Sequence, residues 1–297
     1  MSATLDRLYT AAHALWIARA DLRAAHGSIH SFSYWSWLLS DAMRADPELA
    51  ALLPMPPPEL MARVVGTRDP RVFHDSGLSD ASNLFHALAL GGFDPARGGA
   101  LLDFGCGCGR ILRALARLSD AVELHGTDVD AAAIEWDRAH LDFARFERAP
   151  ERPPLAFPSA RFDALLSFSV FSHLPEDLHF AWLCELHRIT RPGAVLVLTV
   201  QGVRCWQRFQ AGDFARAGLP AHAVMERDFE RLRRDGFVYY PYGDGRPWVG
   251  GADASDQYGM TFVLESYVRE RWSEWFEVVA YRAAVSDWQD HVVLRRR

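Results

Sequence analysis

Three glycines, Gly105, Gly107 and Gly109, alternate with Cys106 and Cys108 directly after the apolar run "ALLDF", which carries Asp103. Glycine lets a chain turn sharply and lets a ligand approach the main chain closely. A helix beginning just beyond such a loop offers unpaired N–H groups to that ligand. Asp128, at the end of "HGTD", stands near the offset of about 20 residues expected of an acid that grips ribose hydroxyls. A carboxylate suits the task because it only accepts hydrogen bonds and takes two hydroxyl donors at once. The plainer alternative for Asp128 is a loop-capping acid, with Asp120 and Asp130 close by. His173, in "SFSVFSHLPED", is the best candidate for a base, since imidazole titrates near neutrality. Its alternative is a ring braced against the loop that touches no substrate. Glu176 and Asp177 read as the start of the next helix.

The glycine spacing narrows the ligand. A dinucleotide fingerprint wants GxGxxG, and Arg110 stands where its third glycine would be. A bulky arginine there disfavours a dinucleotide and leaves S-adenosylmethionine as the other main ligand of such loops. Asp103 would then meet the ammonium of the cofactor's amino-acid end. Cys106 and Cys108 form a CxC pair with no second pair at ligand spacing, so no metal is expected. All 32 positions counted as lysine or arginine are arginine, which excludes a lysine Schiff base and a Walker-type phosphate loop. The net charge of −6 argues against a general nucleic-acid binder. No apolar run approaches the length of a membrane span, and the start of the chain does not read as a secretory signal. The expectation is a cytoplasmic protein with no membrane or nucleic-acid partner.

These residues need a scaffold, and the alternation of apolar runs with helical patterns supplies one. "ALLDF", "VELHGTD", "ARFER", "FDALLSFSV" and "AVLVLTV" read as strands, with helices over "RILRALARL", "DAAAIEWDRAH" and "EDLHFAWLCELHRIT" and a turn at "RPG". "FEVVAYRA" and "QDHVVLRR" read as a closing antiparallel hairpin. Before the first strand, Leu5, Leu8, Ala12, Leu15 and Trp16 repeat at helical spacing. "SFSYWSWLL" packs aromatics into a short segment, a helix is expected after Pro54 to Pro58, and "LSDASNLFHALALGG" resembles a helix capped by Ser or Asp. The expected organisation is a helical cap or lid over 1–95 and an α/β domain over 96–297, with a lid insertion at 201–275.

"LLDFGCGCGRIL", "LHGTDVD", "ARFDALLSFSVFSHLPED" and "LHRITRPGAVLVLTV" together resemble successive signature segments of the class I S-adenosylmethionine-dependent methyltransferases. The resemblance implies a doubly wound, mainly parallel seven-stranded sheet whose last strand is reversed and lies between the fifth and sixth. It implies S-adenosylmethionine as cofactor and S-adenosylhomocysteine as product. Asp103, Gly105, Cys106 and Gly107 would line its methionine end, Asp128 the ribose and Val129 the adenine, with Ser167 at the end of the fourth strand. Many relatives carry Asp or Asn after the third strand for the adenine amino group. Here Ala149 and Pro150 stand there, which leaves that work to backbone groups. Arg63 is the candidate partner of the cofactor's carboxylate, with Arg68 competing, and Phe73 the candidate cover for its methionine portion. Trp35, Trp37 and the aromatics of the insertion, Trp206, Phe209, Phe229, Tyr239, Tyr240 and Trp248, suggest a hydrophobic or cyclic small-molecule acceptor methylated on oxygen or nitrogen. The alternatives are an NAD-dependent oxidoreductase on a similar sheet and a non-catalytic cofactor-binding protein.

Overall fold

A computed structural model describes residues 53–212, 222–242 and 257–297, together with Arg7, Thr10 and Ala14. The helix expected around Leu5 to Trp16 lies almost wholly outside these residues. Trp35, Trp37 and Trp248 lie outside them altogether.

Helix α1 (Pro58–Val65) follows the proline run, with proline at its first position and Gly66 closing it in the left-handed conformation. Helix α2 (Pro70–Leu90) begins eight residues before Leu78, capped by Asp69, whose side chain accepts from the Arg71 amide. The Ser and Asp of "LSDASN" are therefore inside the helix. Then come β1 (Ala100–Phe104), α3 (Arg110–Leu115), β2 (Glu123–Asp128), α4 (Ala131–His140), β3 (Ala144–Arg148) and β4 (Phe162–Ser167). They are followed by α5 (Glu176–Ile189) and β5 (Thr190–Val200), which absorbs the expected turn at Arg191 to Gly193 into a longer strand. The later elements are α6 (Val203–Ala211), α7 (His222–Asp235), β6 (Phe237–Pro241), β7 (Gly259–Val263), α8 (Glu265–Arg271), β8 (Phe276–Arg282) and β9 (Asp290–Arg296).

The seven-stranded sheet runs β3-β2-β1-β4-β5-β9-β8. Pairings from β3 to β5 are parallel, and β9 is antiparallel to both β5 and β8. This is the order that the resemblance implied. Successive residues of each strand point to opposite faces, so both faces carry a core. On one, Leu101, Leu124, Leu166, Val195 and Val293 pack against α2, α3 and α4 through Leu84, Leu88, Leu112 and Ile134. On the other, Leu102, Leu165, Leu196 and Leu294 meet Trp182 and Leu186 of α5 and Val268 of α8. Helix α2 thus belongs to the layer that covers the sheet. The boundary expected at residue 95 falls after a helix that is already part of the α/β core.

The insertion contributes its own small core around Trp206, Met225, Leu232 and Phe262, and a second sheet of β6 paired antiparallel with β7. Main-chain hydrogen bonds tie β7 to the large domain. Gly259 N donates to His173 O, Thr261 N to Ser172 O and Val263 N to Gln201 O, at 2.9, 2.9 and 2.8 Å. Among the described residues, no helix is long and apolar enough to cross a membrane.

Candidate functional site

A cavity of about 730 Å³ opens at the carboxyl ends of β1, β2, β4 and β5, where open α/β sheets bind ligands. Gly105, Cys106, Gly107, Asp128, Val129, Ala149 and Pro150 line one part of it. Ser169, His173, Gln201, Tyr242, Tyr258 and Met260 line another.

Backbone hydrogen bonds shape the first part. Gly105 N and Cys106 N both donate to Thr127 O, at 2.8 and 3.1 Å, which folds the loop over the end of β2. Gly105 has φ +83° and Gly107 φ +55°, conformations that disfavour a side chain. A Cβ at Gly105 would lie 2.2 Å from Val170 Cγ2, and one at Gly107 would lie 2.7 Å from Val64 Cγ2. Steric exclusion at these positions therefore comes from the protein itself as well as from the turn. Asp128 accepts from Gly107 N through Oδ2 and from Asp130 N through Oδ1, both at 2.8 Å. It caps the loop while lining the cavity, so the two readings of this acid coexist. Burial pushes its carboxyl up, against the pull of the Asp130 and Gly107 amides. Ala149 N, bonded to Asp128 O at 2.8 Å, brings Ala149 and Pro150 beside Val129.

Other candidates lie differently. Asp103 is 1% exposed and sits behind the wall, its Oδ2 without a hydrogen-bond partner. Burial raises its pKa to about 7; Arg110 lowers it and Asp128 adds to the rise. Ser167 is fully buried, its Oγ also unpartnered, and is not in the cavity wall. Phe73 is a correction. It is 1% exposed and packs with Leu60, Met61, Cys108 and Ala133 in a core cluster behind the cavity wall, which it does not line itself. Arg63 reaches the wall, but its NH1 donates to Asp130 Oδ2 at 2.7 Å. Arg68 pairs with Glu59 at 3.9 Å in solvent. Cys106 lines the cavity and Cys108 is buried in the core. Among the described residues, no three His, Cys, Asp or Glu side chains gather as a metal site.

Arg110, which breaks the dinucleotide fingerprint, is 6% exposed on the cavity wall. Its NH1 donates to Asp80 Oδ2 at 2.7 Å and to Ser76 Oγ at 3.2 Å. Gly77 makes room for it, since a Cβ there would come within 3.1 Å of the Arg110 Cγ. A helix-interior glycine thus has a packing reason that offsets its propensity cost of about 1 kcal/mol.

In the second part, His173 Nδ1 lies 2.8 Å from Gly259 O. A carbonyl only accepts, so Nδ1 carries the proton and Nε2 keeps its lone pair. The Tyr242 hydroxyl, itself donating to Met260 Sδ, lies 3.0 Å from the same Nδ1. Burial lowers the His173 pKa to about 4, only partly opposed by the Gly259 carbonyl. Ser169 Oγ lies 3.4 Å from Nε2 and accepts from Gln289 Nε2 at 2.9 Å. Gln289 in turn accepts from Thr199 Oγ1 at 2.6 Å, and that oxygen accepts from Ser169 N at 2.7 Å. This closed network holds Ser169 at φ +61°, a strained conformation for serine. Sequence reasoning missed Ser169, Gln201, Tyr242, Tyr258 and Met260. Only the aromatic enrichment of the insertion hinted at them.

These residues fit the group that the loop implies. The wall carries Asp80, Asp128, Asp130 and Glu151 against Arg63 and Arg110, a surplus of acid suited to a sulfonium that also bears an ammonium. The unpartnered Asp103 carboxylate and the positive-φ glycines fit the same group.

Comparison with known proteins agrees. A family model described as a methyltransferase domain matches residues 102–196. The ubiquinone biosynthesis O-methyltransferase of Ruegeria pomeroyi is 26% identical over 173 residues, covering 51% of this chain and 68% of that protein. Ribosomal RNA small subunit methyltransferase C of Hamiltonella defensa is 42% identical over 72 residues. That match covers 24% of this chain and only 20% of the relative's length. The crystal structure of the PH0226 protein from Pyrococcus horikoshii OT3 has a TM-score of 0.50 at 16% identity, covering 72% of this chain and 89% of that one. Sheet order, glycine loop and matched domain define the class: a Rossmann-like enzyme that uses S-adenosylmethionine. The matched stretch, about a third of the chain, is a methyltransferase domain, and the sheet around it has the strand order of the class I S-adenosylmethionine-dependent methyltransferases.

Proposed function

We propose that this chain transfers a methyl group from S-adenosylmethionine to an oxygen or nitrogen of a small molecule in the cytoplasm. The observation that carries the reading is one continuous cavity with the glycine loop and Asp128 in one part and His173 among aromatic rings in the other. The bound cofactor supplies an activated methyl carbon, so the protein's task is alignment and handling of a proton. Asp128 would accept from the ribose hydroxyls, and Asp103, buried just behind the wall, would meet the ammonium through water. Val129 and the main chain at Ala149 and Pro150 border the adenine. Cys106 and the two flanking glycines keep the loop thin.

His173 offers Nε2 to the acceptor's proton, with the Gly259 carbonyl fixing the tautomer. With its pKa near 4 the ring is neutral at physiological pH. It is then always free to accept a proton but is a weak base, which suits acceptors with an acidic O–H or N–H. Ser169, locked by Gln289 and Thr199, stands beside it.

The test has two steps. S-adenosylhomocysteine should raise the melting temperature and NAD should not. Label from S-adenosylmethionine should then enter a small-molecule fraction of cell extract. Stabilisation by NAD alone would favour the oxidoreductase, and binding with no transfer to any fraction would favour a non-catalytic role. Label found only in RNA would move the acceptor to the class on which the ribosomal relative is named.

A further inference from the structure

Two glutamines lie close to the second part of the cavity, and the fold treats them differently. Gln289 is 1% exposed and engaged at both ends of its amide, by Thr199 and Ser169. Gln201 is equally buried, at 1% exposed, and lines the cavity. Its Oε1 has no hydrogen-bond partner, and its Nε2 reaches only the Met260 sulfur, at 3.9 Å. A thioether is a weak acceptor, so most of the hydrogen-bonding capacity of this amide is unused. Buried amides are nearly always paired, and leaving one unpaired is unfavourable. Exchanging the oxygen and nitrogen of the amide would leave the same deficit. Its backbone is meanwhile fixed, for Gln201 O accepts from Val263 N where β7 meets the end of β5.

Aromatic rings line the same cavity. Tyr258 stacks on His173 with centroids 5.0 Å apart and planes 23° apart. Tyr242 lies 5.6 Å from Tyr258, and Phe209 and Trp288 pack 5.7 Å apart on the same cavity. Ring faces favour a flat ligand, and a few placed polar groups then set its orientation. A carboxamide is planar and presents an acceptor beside a donor, so its complement is a flat edge with a donor beside an acceptor.

We infer that Gln201 is the recognition point of the acceptor subsite, and that the acceptor is a planar molecule presenting adjacent N–H and C=O groups, or their hydroxyl tautomer. The inference rests on the methyltransferase reading and names its substrate class. Pairing at Gln201 would orient the flat molecule among the rings, and a second polar atom on it would meet Ser169 or His173 Nε2.

The test is calorimetry on the full chain saturated with S-adenosylhomocysteine. The probes are pyridin-2-one, quinolin-2-one and uracil, each against its N-methylated form. At least one parent compound should bind about tenfold more tightly than its N-methylated form, the worth of one buried hydrogen bond with its unmet partner. In Gln201→Met that preference should vanish, while S-adenosylhomocysteine affinity stays within about twofold as a check on folding. If that variant does not fold, the preference in the unaltered chain remains the deciding measurement. No binding by any parent compound, or no preference over the methylated forms, would overturn the inference while leaving the cofactor reading intact. A preference that persists in Gln201→Met would overturn it too. Failure of S-adenosylhomocysteine itself to bind would remove both. Binding of an RNA oligonucleotide with the same dependence on Gln201, and of no free probe, would overturn the small-molecule form in favour of an extruded base.

Discussion

The two parts of the cavity are built by different means. The part proposed for the cofactor is made mainly of main chain: a glycine loop folded over β2, two amides on Asp128, and the turn after β3. The part proposed for the acceptor is made of side chains drawn from distant segments: Ser169 after β4, Gln201 after β5, Tyr242, Tyr258 and Met260 from the insertion. Main-chain architecture tolerates few alternatives, because a left-handed turn at the end of a buried strand demands particular residues. A wall of side chains can be composed in many ways. One half is therefore constrained by backbone geometry, and the other by whichever side chains the distant segments supply.

The sharpest way to break this contrast is in the loop. Gly105→Val and Gly107→Val should abolish S-adenosylhomocysteine binding, since each forces a branched residue into positive φ and against Val170 or Val64. Circular dichroism must show the variants folded; folded variants that bind normally would contradict the backbone cradle. Next, His173→Ala should lower turnover by about 10²–10⁴-fold, the usual worth of a general base, with cofactor affinity little changed. Because burial holds the ring near pKa 4, the acidic limb of the pH–rate profile should lie near pH 4 and not near 6.5. Weakened cofactor binding with turnover intact would make His173 a brace for the loop.

Asp128→Ala should weaken the cofactor by about 1.5–3 kcal/mol for each lost charged hydrogen bond, and unchanged affinity would remove Asp128 from the site. Asp103 sharpens the comparison through pH. Its folded pKa is raised to about 7, so below pH 7 the free protein holds a proton that an incoming ammonium must displace. Affinity for S-adenosylhomocysteine should be flat above that pH and fall by up to about tenfold per unit below it. In Asp103→Asn this dependence should disappear, and flat affinity from pH 5 to 8 in the unaltered chain would put the ammonium elsewhere. The smallest effect is expected at Arg63→Ala. Arg63 is half-exposed and committed to Asp130, so affinity should change by less than about threefold, as for a surface ion pair. A loss beyond tenfold would return Arg63 to the cofactor's carboxylate.

Legibility in the sequence follows the same division. Strands β1, β2, β4 and β5 announce themselves as short apolar runs between helical patterns, and the loop glycines and Asp128 follow from what a strand-to-helix turn beside a ligand demands. Phe73 was not legible. A phenylalanine ahead of the first strand is equally suited to a ligand or a core, and only packing against Cys108 and Ala133 decides. The start of α2 was written in "RDP", an N-cap acid followed by proline, yet Ser79 and Asp80 offer the same signal inside the helix. The pairing of Asp80 with Arg110 explains that acid in another way. The second sheet left the weakest trace. Strands β6 and β7 are separated by 17 residues of sequence (Pro241 to Gly259 exclusive), too many for the short-hairpin signal that would announce their pairing. Gln201 stands out from Gln289 only once its partners can be counted.

The way β7 is attached has an evolutionary consequence. Three of its ties, to Ser172, His173 and Gln201, run from main chain to main chain, and these three bonds do not depend on side-chain identity. The insertion can therefore rewrite the rings that face the cavity, one substitution at a time, while remaining seated at the same rim. A lineage could exchange one acceptor for another without ever passing through an ancestor that had lost its hold on the methyl donor.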